Sequence, residues 1–211
     1  MVHFSKKYFL YIIFVLIFAG CGGGGSGNGV TVSGGDATAA ASQQKIVFSG
    51  DSTISRGNWS SYFGFPIEND GVSGLESWQL VNTIEGHVAS KPNKIFIAIG
   101  GNNVLNRHEG VLVSDISTII DKIRKASPTT NIIILSILPV KSDFSNALIE
   151  NYNNQIFSLC NGKNVKFKSV YGLFKNSSTI INLKYYLGDG VHLNDAGYQV
   201  YADAIRSDVL S

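Results

Sequence analysis

Hydrophobic and polar positions follow two alternating periods along residues 45–211. Short runs rich in β-branched and aromatic residues predict strands, and segments with apolar residues three or four positions apart predict helices between them. Strands that alternate with helices pair in parallel and are covered on both faces, so the pattern predicts an α/β fold with a parallel sheet. The predicted strands are residues 45–49, 66–69, 94–99, 131–138 and 164–170.

The clearest helical pattern places Val113, Ile116, Ile120 and Ile123 on one face and ends before Pro128.

Three further segments show weaker helical patterns. In residues 75–88, we expect Trp78, Val81 and Ile84 to form the buried face of the helix. At the start of residues 194–209, Asn194 is a residue type that commonly caps helices. The three segments are residues 75–88, 145–159 and 194–209.

The first 20 residues have the layout of a secretory signal peptide. Lys6 and Lys7 precede an unbroken apolar run over residues 8–19, which is too short for an uncleaved membrane anchor, since a span takes roughly 20 residues. Gly20 and Cys21 follow, and residues 17–21 resemble a bacterial lipobox, although Phe18 replaces the usual Leu. The resemblance implies that Cys21 is lipidated and becomes the mature N-terminus. An ordinary secreted protein is the alternative.

Residues 22–44 are mostly small and polar and show no apolar period, which predicts a flexible tether. The predicted organisation is a signal peptide at 1–20, a lipidated cysteine and tether at 21–44, and one domain at 45–211. We therefore expect an exported protein of the bacterial cell envelope, which contacts the membrane through Cys21.

Composition narrows the possible partners. The chain has 211 residues, of which 44% are hydrophobic and 15% charged, and this favours one globular domain. Without Lys6 and Lys7, its 17 basic residues fall to 15 and balance its 15 acidic residues, so nothing indicates a nucleic-acid partner. Two cysteines form no disulfide framework, and no spacing typical of metal ligands occurs. We expect a monomer without metal or cofactor.

Four short motifs carry the candidate chemistry. Three follow predicted strands and the fourth precedes the last helix, so all should meet at the edge formed by the carboxyl ends of the strands. They are GDS at residues 50–52, GVSG at 71–74, GGNN at 100–103 and DGVH at 189–192.

Together these motifs supply the parts of a serine hydrolase. Ser52 offers a nucleophilic hydroxyl, and His192 can accept its proton while Asp189, three residues earlier, orients the imidazole. The N–H groups of Ser52 and Gly74, the latter expected at a helix start, and the Asn102 amide can stabilise an oxyanion. Taken singly, a turn serine, a turn glycine with positive φ and a loop asparagine are common.

Other polar residues have simpler explanations. Asp51 is interpreted as a hydrogen-bonding residue at a helix start, because its side chain points away from that of its neighbour. His87 is expected to end a helix, and His108 to lie in a solvated loop. Cys160 is expected to be a small buried hydrophobe.

In this order, and at these strand ends, the motifs resemble the SGNH (GDSL-type) serine hydrolases over residues 45–211. The resemblance implies a flavodoxin-like, three-layer α/β/α sandwich with a five-stranded parallel sheet. It also implies a catalytic triad of Ser52, His192 and Asp189, with Ser52, Gly74 and Asn102 as the oxyanion hole.

The chain departs from the common family pattern at two positions. Asn103 stands where many members have Asp, and Leu193 stands where Pro is frequent. Neither departure removes a catalytic group, so they concern the subfamily.

The short connections predict an open, shallow site and therefore a short acyl group, above all acetyl, on a carbohydrate. A lysophospholipase or thioesterase is the alternative, since Trp59, Tyr62, Phe63 and Phe65 follow the nucleophile and could line an acyl groove. Core packing is the expected role of these aromatic residues. A non-catalytic glycan-binding lipoprotein is the alternative from another class.

Overall fold

The structure is a computed structural model that describes residues 44–176 and 181–211. The predicted signal peptide, Cys21 and the tether up to residue 43 lie outside the described residues. Within the described part, no helix combines the length and the apolar character needed to cross a bilayer.

A five-stranded, fully parallel sheet forms the centre of the described part, as the sequence predicts. The strand order is β2-β1-β3-β4-β5, so β1 pairs with β2 on one side and with β3 on the other. The strands are β1 (Ile46–Gly50), β2 (Glu68–Gly71), β3 (Lys94–Ala98), β4 (Asn131–Leu135) and β5 (Lys166–Lys168).

Helices cover both faces of this sheet and complete the three-layer α/β/α sandwich. The helices are α1 (Ser52–Ser55), α2 (Trp59–Phe63), α3 (Ser77–His87), α4 (Gly101–Leu105), α5 (Leu112–Ala126), α6 (Asp143–Gly162) and α7 (Asp195–Leu210). Short 3₁₀ helices lie at Glu109–Val111, Tyr171–Phe174 and Leu183–Tyr185.

Side chains alternate between the two faces of β1. Ile46 and Phe48 pack with α2 and α7 in one buried cluster, and Val47 packs with α3, α5 and α6 in the other. This alternation follows from the two-residue period of a strand. It explains why the strand is apolar along most of its length.

The clearest helix prediction and one of the weaker ones are confirmed. Helix α5 buries Ile116, Ile120 and Ile123 and ends before Pro128. Helix α7 begins directly after Asn194, whose Oδ1 accepts the Gly197 N–H at 3.0 Å.

Helix α3 differs from its prediction at its start and in its buried face. Glu76 and Gln79 form a capping box, in which Gln79 Oε1 accepts the Glu76 N–H at 2.9 Å, so the helix begins two residues later than predicted. Leu80 and Ile84 are fully buried, whereas Trp78 is 50% exposed. The expected burial of Trp78 is therefore wrong.

Strand β4 ends at Leu135, three residues before the end of the strand predicted over residues 131–138. Beyond it, Asn153 of α6 accepts from the Ile137 N–H at 2.9 Å and donates to the Ile137 carbonyl at 3.0 Å. Asn146 binds both backbone groups of Val140 in the same way, at 2.8 and 2.7 Å. Two amides of a helix therefore replace the strand ladder and hold the segment after β4 at the edge of the sheet.

Candidate active site

The strand order creates a crevice between the ends of β1 and β3. The chain passes from β1 to β2 on one side and then to β3 on the other, and ligands bind at such a switch point in parallel sheets. Gly50 ends β1 with φ +147°, and a Cβ there would overlap the Ala98 carbonyl oxygen. The N–H of Asp51 donates to that same oxygen at 3.1 Å. Glycine at this position lets β1 deliver the GDS motif directly beside β3.

Ser52 is the first residue of α1 and is 8% exposed. Its N–H donates no hydrogen bond within the described residues, as is usual for a first helical position. Asp51 caps the helix, its Oδ1 accepting the Thr53 N–H at 2.9 Å, so its interpretation as a helix-start residue is confirmed. Burial raises the pKa of the Asp51 carboxyl to about 6, although the hydrogen bond from Thr53 opposes this shift.

Asp189 and His192 are in direct contact. His192 Nδ1 lies 2.7 Å from Asp189 Oδ2, and Asp189 Oδ1 accepts the N–H groups of Val191 and His192 at 2.9 and 3.0 Å. The side-chain hydrogen bond from His192, followed by these two backbone bonds, holds the pKa of Asp189 far below its usual range. An ionised Asp189 favours the proton on Nδ1 and leaves Nε2 as a base.

Gly74 lies in a turn and not at a helix start, because α3 begins only at Ser77. The turn is closed by the Leu75 N–H and the Val72 carbonyl at 3.1 Å, and Gly74 has φ +81°. The expectation that helix polarity activates its N–H is therefore wrong. Within the part of the chain that the structure describes, the Gly74 N–H donates no hydrogen bond and remains available to a ligand.

The residues on either side of Gly74, Ser73 and Leu75, contact the segments that carry the other two candidate donors. Ser73 Oγ lies 3.0 Å from Ser55 Oγ in α1, the helix of Ser52. Asn102 Nδ2 donates to the Leu75 carbonyl at 2.9 Å. An amide nitrogen has two hydrogens, so Asn102 keeps one for an oxyanion.

Ser52 and Asn102 line one cleft, together with backbone of β3 and its following turn. Its cavity volume is about 40 Å³. Across the described ranges no hydrogen bond joins Ser52 Oγ to His192, and such bonds are often long in unliganded enzymes. Val191, next to His192, lines the cleft. The remaining apolar wall comprises Leu105, Ile137, Leu138 and Val140.

Asn103 is fully buried and holds two helices together. Its Oδ1 accepts the Ser77 N–H at 3.0 Å, and its Nδ2 donates to Ser77 Oγ at 2.9 Å. Ser77 Oγ in turn donates to Asp115 Oδ2 at 2.6 Å. The residue beside Asn102 therefore fixes the start of α3 against α4. Sequence reasoning missed this role because the partners lie far apart in the chain.

His87, His108 and Cys160 lie where the sequence predicts. His87 ends α3, with Nδ1 2.8 Å from Ser49 Oγ. His108 is mostly exposed and lies 2.9 Å from Glu76 Oε2. Cys160 is fully buried, and burial raises the pKa of its thiol to about 11.

The aromatic residues after the nucleophile mostly pack in the core. Trp59, Phe63 and Phe65 are buried, and Tyr62 is half-buried. Leu193 is buried in the same cluster. No group of three histidine, cysteine, aspartate or glutamate side chains suited to a metal ion occurs among residues 44–176 and 181–211.

Known structures share this fold. A Streptococcus pneumonia protein proposed to be a platelet activating factor is 25% identical, with a TM-score of 0.73 over 83% of this chain and 92% of the other. An acetylxylan esterase from Geobacillus stearothermophilus is 17% identical, with a TM-score of 0.69 over 79% and 94%. A GDSL-like lipase from Bacteroides thetaiotaomicron is 19% identical, with a TM-score of 0.67 over 79% and 87%.

No curated protein matches the sequence. The pattern of the GDSL-like lipase/acylhydrolase family, in contrast, matches residues 38–200, which include all four motifs. The match covers more than half of the chain and agrees with the fold and with the crevice between β1 and β3. The chain belongs to the GDSL-like lipase/acylhydrolase family and is an SGNH-type hydrolase.

Proposed function

We propose that this hydrolase cleaves short-chain acyl esters, above all acetyl esters of carbohydrates, with Ser52 as nucleophile. The observation that carries this proposal is the small cleft lined by both Ser52 and Asn102. A reacting carbonyl in this cleft would have the nucleophile and an oxyanion donor beside it. Acetylxylan esterase activity in a structural neighbour is consistent with the proposal.

In the proposed reaction, His192 Nε2 accepts the Ser52 proton while Ser52 Oγ forms a bond to the ester carbonyl carbon. The N–H groups of Ser52 and Gly74 and the free Asn102 hydrogen stabilise the oxyanion. The intermediate collapses, the bond to the alcohol oxygen breaks, and the alcohol leaves with the proton from His192. Water then attacks the acyl-enzyme by the same sequence and releases the acid. Asp189 orients His192 and stabilises the imidazolium.

The size of the cleft favours a short acyl group. Its volume of about 40 Å³ lies far below the roughly 300–1,000 Å³ of pockets that bury a drug-sized ligand. An acetyl group has three heavy atoms. A longer chain would leave its additional methylene groups in water and would gain none of the about 0.8 kcal/mol of binding that burial of each provides.

A series of nitrophenyl esters tests this proposal and its alternatives. We expect kcat/KM to be highest for acetate and to fall as the acyl chain lengthens to octanoate. A maximum at octanoate would instead favour the lysophospholipase or thioesterase function. A fluorophosphonate should label the wild type and fail to label Ser52→Ala. A wild-type chain without label or turnover would support a non-catalytic binding protein.

We also propose that Cys21 is lipidated and attaches the protein to the bacterial cell envelope. The apolar run before Cys21 and the polar tether after it support this proposal. Cells grown with a palmitate analogue should incorporate label into the wild type and none into Cys21→Ser. Label that persists in Cys21→Ser would refute the proposal.

A further inference from the structure

A second cavity, the polar groove, is lined in part by chain neighbours of residues that line the cleft. Its volume is about 390 Å³, within the range of ligand pockets, whereas the cleft measures about 40 Å³. Because these volumes differ about tenfold, the two cavities suit groups of very different size. The polar groove is lined by Arg56, Asn58, Tyr62, Leu193, Asp195 and Tyr198, among others.

The two cavities adjoin at the proposed catalytic pair. Val191 lines the cleft and Leu193 lines the polar groove, so His192 stands between them in the chain. Ser52 begins α1 at the cleft, and Arg56 follows its last residue at the groove. Four helical residues span about 6 Å, so one small molecule can occupy both cavities.

A direct contact connects the groove with the nucleophile. The Tyr198 hydroxyl donates to the Ser52 carbonyl oxygen at 3.3 Å, and the Arg56 N–H donates to the same oxygen at 3.2 Å. These bonds fix the groove wall relative to the Ser52 backbone. A group bound in the groove would therefore lie in a defined position relative to the reacting ester.

The polar side chains of the groove are available to a ligand. Arg56, Asn58 and Asp195 are exposed, and within the described ranges their side chains make no hydrogen bond to the protein. Arg56 supplies donors, Asp195 supplies acceptors and Asn58 supplies both. Half-buried Tyr62 adds aromatic surface, whereas Tyr198 is buried and forms part of the groove wall.

This combination fits a sugar ring better than an acyl chain. A ring carries neighbouring hydroxyl groups that donate and accept hydrogen bonds, and its C–H surface packs on aromatic rings. An acyl chain in the groove would remove water from Arg56 and Asp195 without replacing their hydrogen bonds, which costs free energy.

We propose that the polar groove binds the sugar ring of an O-acylated carbohydrate while the cleft holds its acyl group. The proposal rests on the proposed function, since it places the ester bond at Ser52. Asn102 supports this orientation, because it lines the cleft and not the groove, so the carbonyl and its acyl group belong on the cleft side.

The test compares two kinds of acetate ester on the purified full chain. One is nitrophenyl acetate, and the other is a panel of singly acetylated methyl glycosides of glucose, galactose, xylose and N-acetylglucosamine. The readout is kcat/KM for the best glycoside divided by kcat/KM for nitrophenyl acetate. Arg56→Ala should lower this ratio about tenfold and Asn58→Ala about threefold, as expected for one charged and one neutral hydrogen bond.

Lys125→Ala, an exposed change near the end of α5, is the control and should leave the ratio unchanged. Asn58 makes no side-chain capping hydrogen bond to α2, so its replacement removes no cap from that helix. A ratio unchanged in both groove variants for every glycoside would overturn the groove proposal and leave the proposed function standing. A wild type that hydrolyses none of the acetates would overturn the proposed function itself.

Discussion

Among single residues, Asn102 combines a structural bond with a proposed catalytic one. We expect Asn102→Ala to lower kcat about 10²–10³-fold, the usual cost of removing one oxyanion donor. The matched control is Asn106→Ala on the same helix turn, which also loses one protein hydrogen bond, 2.6 Å to Glu76 Oε1. Steady-state kinetics with nitrophenyl acetate measures kcat for both variants and so distinguishes a catalytic role from a structural one. Equal kcat losses in both variants would indicate a general loosening of this loop.

Asp51 offers a second test, because its carboxyl is buried at the start of α1. Its pKa of about 6 lies above the ordinary value of 3.8, so the native state keeps a proton that the unfolded chain releases. The contribution of this group to stability is therefore most favourable below pH 3.8 and becomes less favourable as pH rises to about 6. Asp51→Asn retains a capping oxygen and avoids the buried charge.

At pH 7.5, Asp51→Asn should therefore unfold at a higher urea concentration than the wild type. Its free energy of unfolding should be larger by about 2–3 kcal/mol at most. The difference should shrink as pH approaches 4. Asp143→Asn, in the first turn of α6, controls for the loss of one exposed negative charge. Should Asp51→Asn prove less stable at pH 7.5, the hydrogen bonds to the carboxylate outweigh its burial.

Between elements, the Asn103 side chain is the main polar connection of α4 to the start of α3. Asn103→Ala removes both hydrogen bonds to Ser77 and a longer one to the His108 carbonyl, and it leaves the buried Ser77 N–H unsatisfied. We therefore expect a loss of about 2–3 kcal/mol in the free energy of unfolding. Asn82→Ala removes one exposed hydrogen bond and should cost less than about 0.5 kcal/mol. Similar urea midpoints for the two variants would contradict the assigned role.

The elements show which features a sequence reveals. Helix α5 and the apolar strands β1, β3 and β4 were predictable because apolar spacing is local, whereas β2 is polar and begins two residues later than predicted. Three motifs were predictable because they follow strands, and the fourth because it precedes the last helix. The end of β4 was not, because Asn146 and Asn153 supply its backbone partners from a later helix. The contacts of Asn103 were hidden for the same reason. The late start of α3 was readable from the capping box of Glu76 and Gln79 and was missed.

At the scale of the whole molecule, the strand polarity separates the entry of the chain from the cleft. The described domain begins next to Ile46, at the amino end of β1, whereas Ser52 follows its carboxyl end. Five strand residues separate the two edges by about 17 Å. A flexible chain as long as the proposed tether, residues 22–44, would have an r.m.s. span of roughly 26 Å.

This separation predicts that tether length matters little for soluble substrates. Deletion of residues 26–40 from the lipidated chain should leave kcat/KM for nitrophenyl acetate within twofold of the wild type, because the described residues that line the two cavities all belong to the domain. Vesicle-bound protein is the sample, and the full-length tether is the control. A tenfold loss on shortening would show that the tether contributes to the site.

The same strand polarity leaves the catalytic edge of the proposed envelope protein unobstructed. The chain enters the domain at the amino edge of the sheet, so an attachment at Cys21 would leave the cleft and the polar groove open to substrates. A tether as flexible as the one proposed sets no orientation for the domain. Such an enzyme would meet esters on every side that its tether can reach.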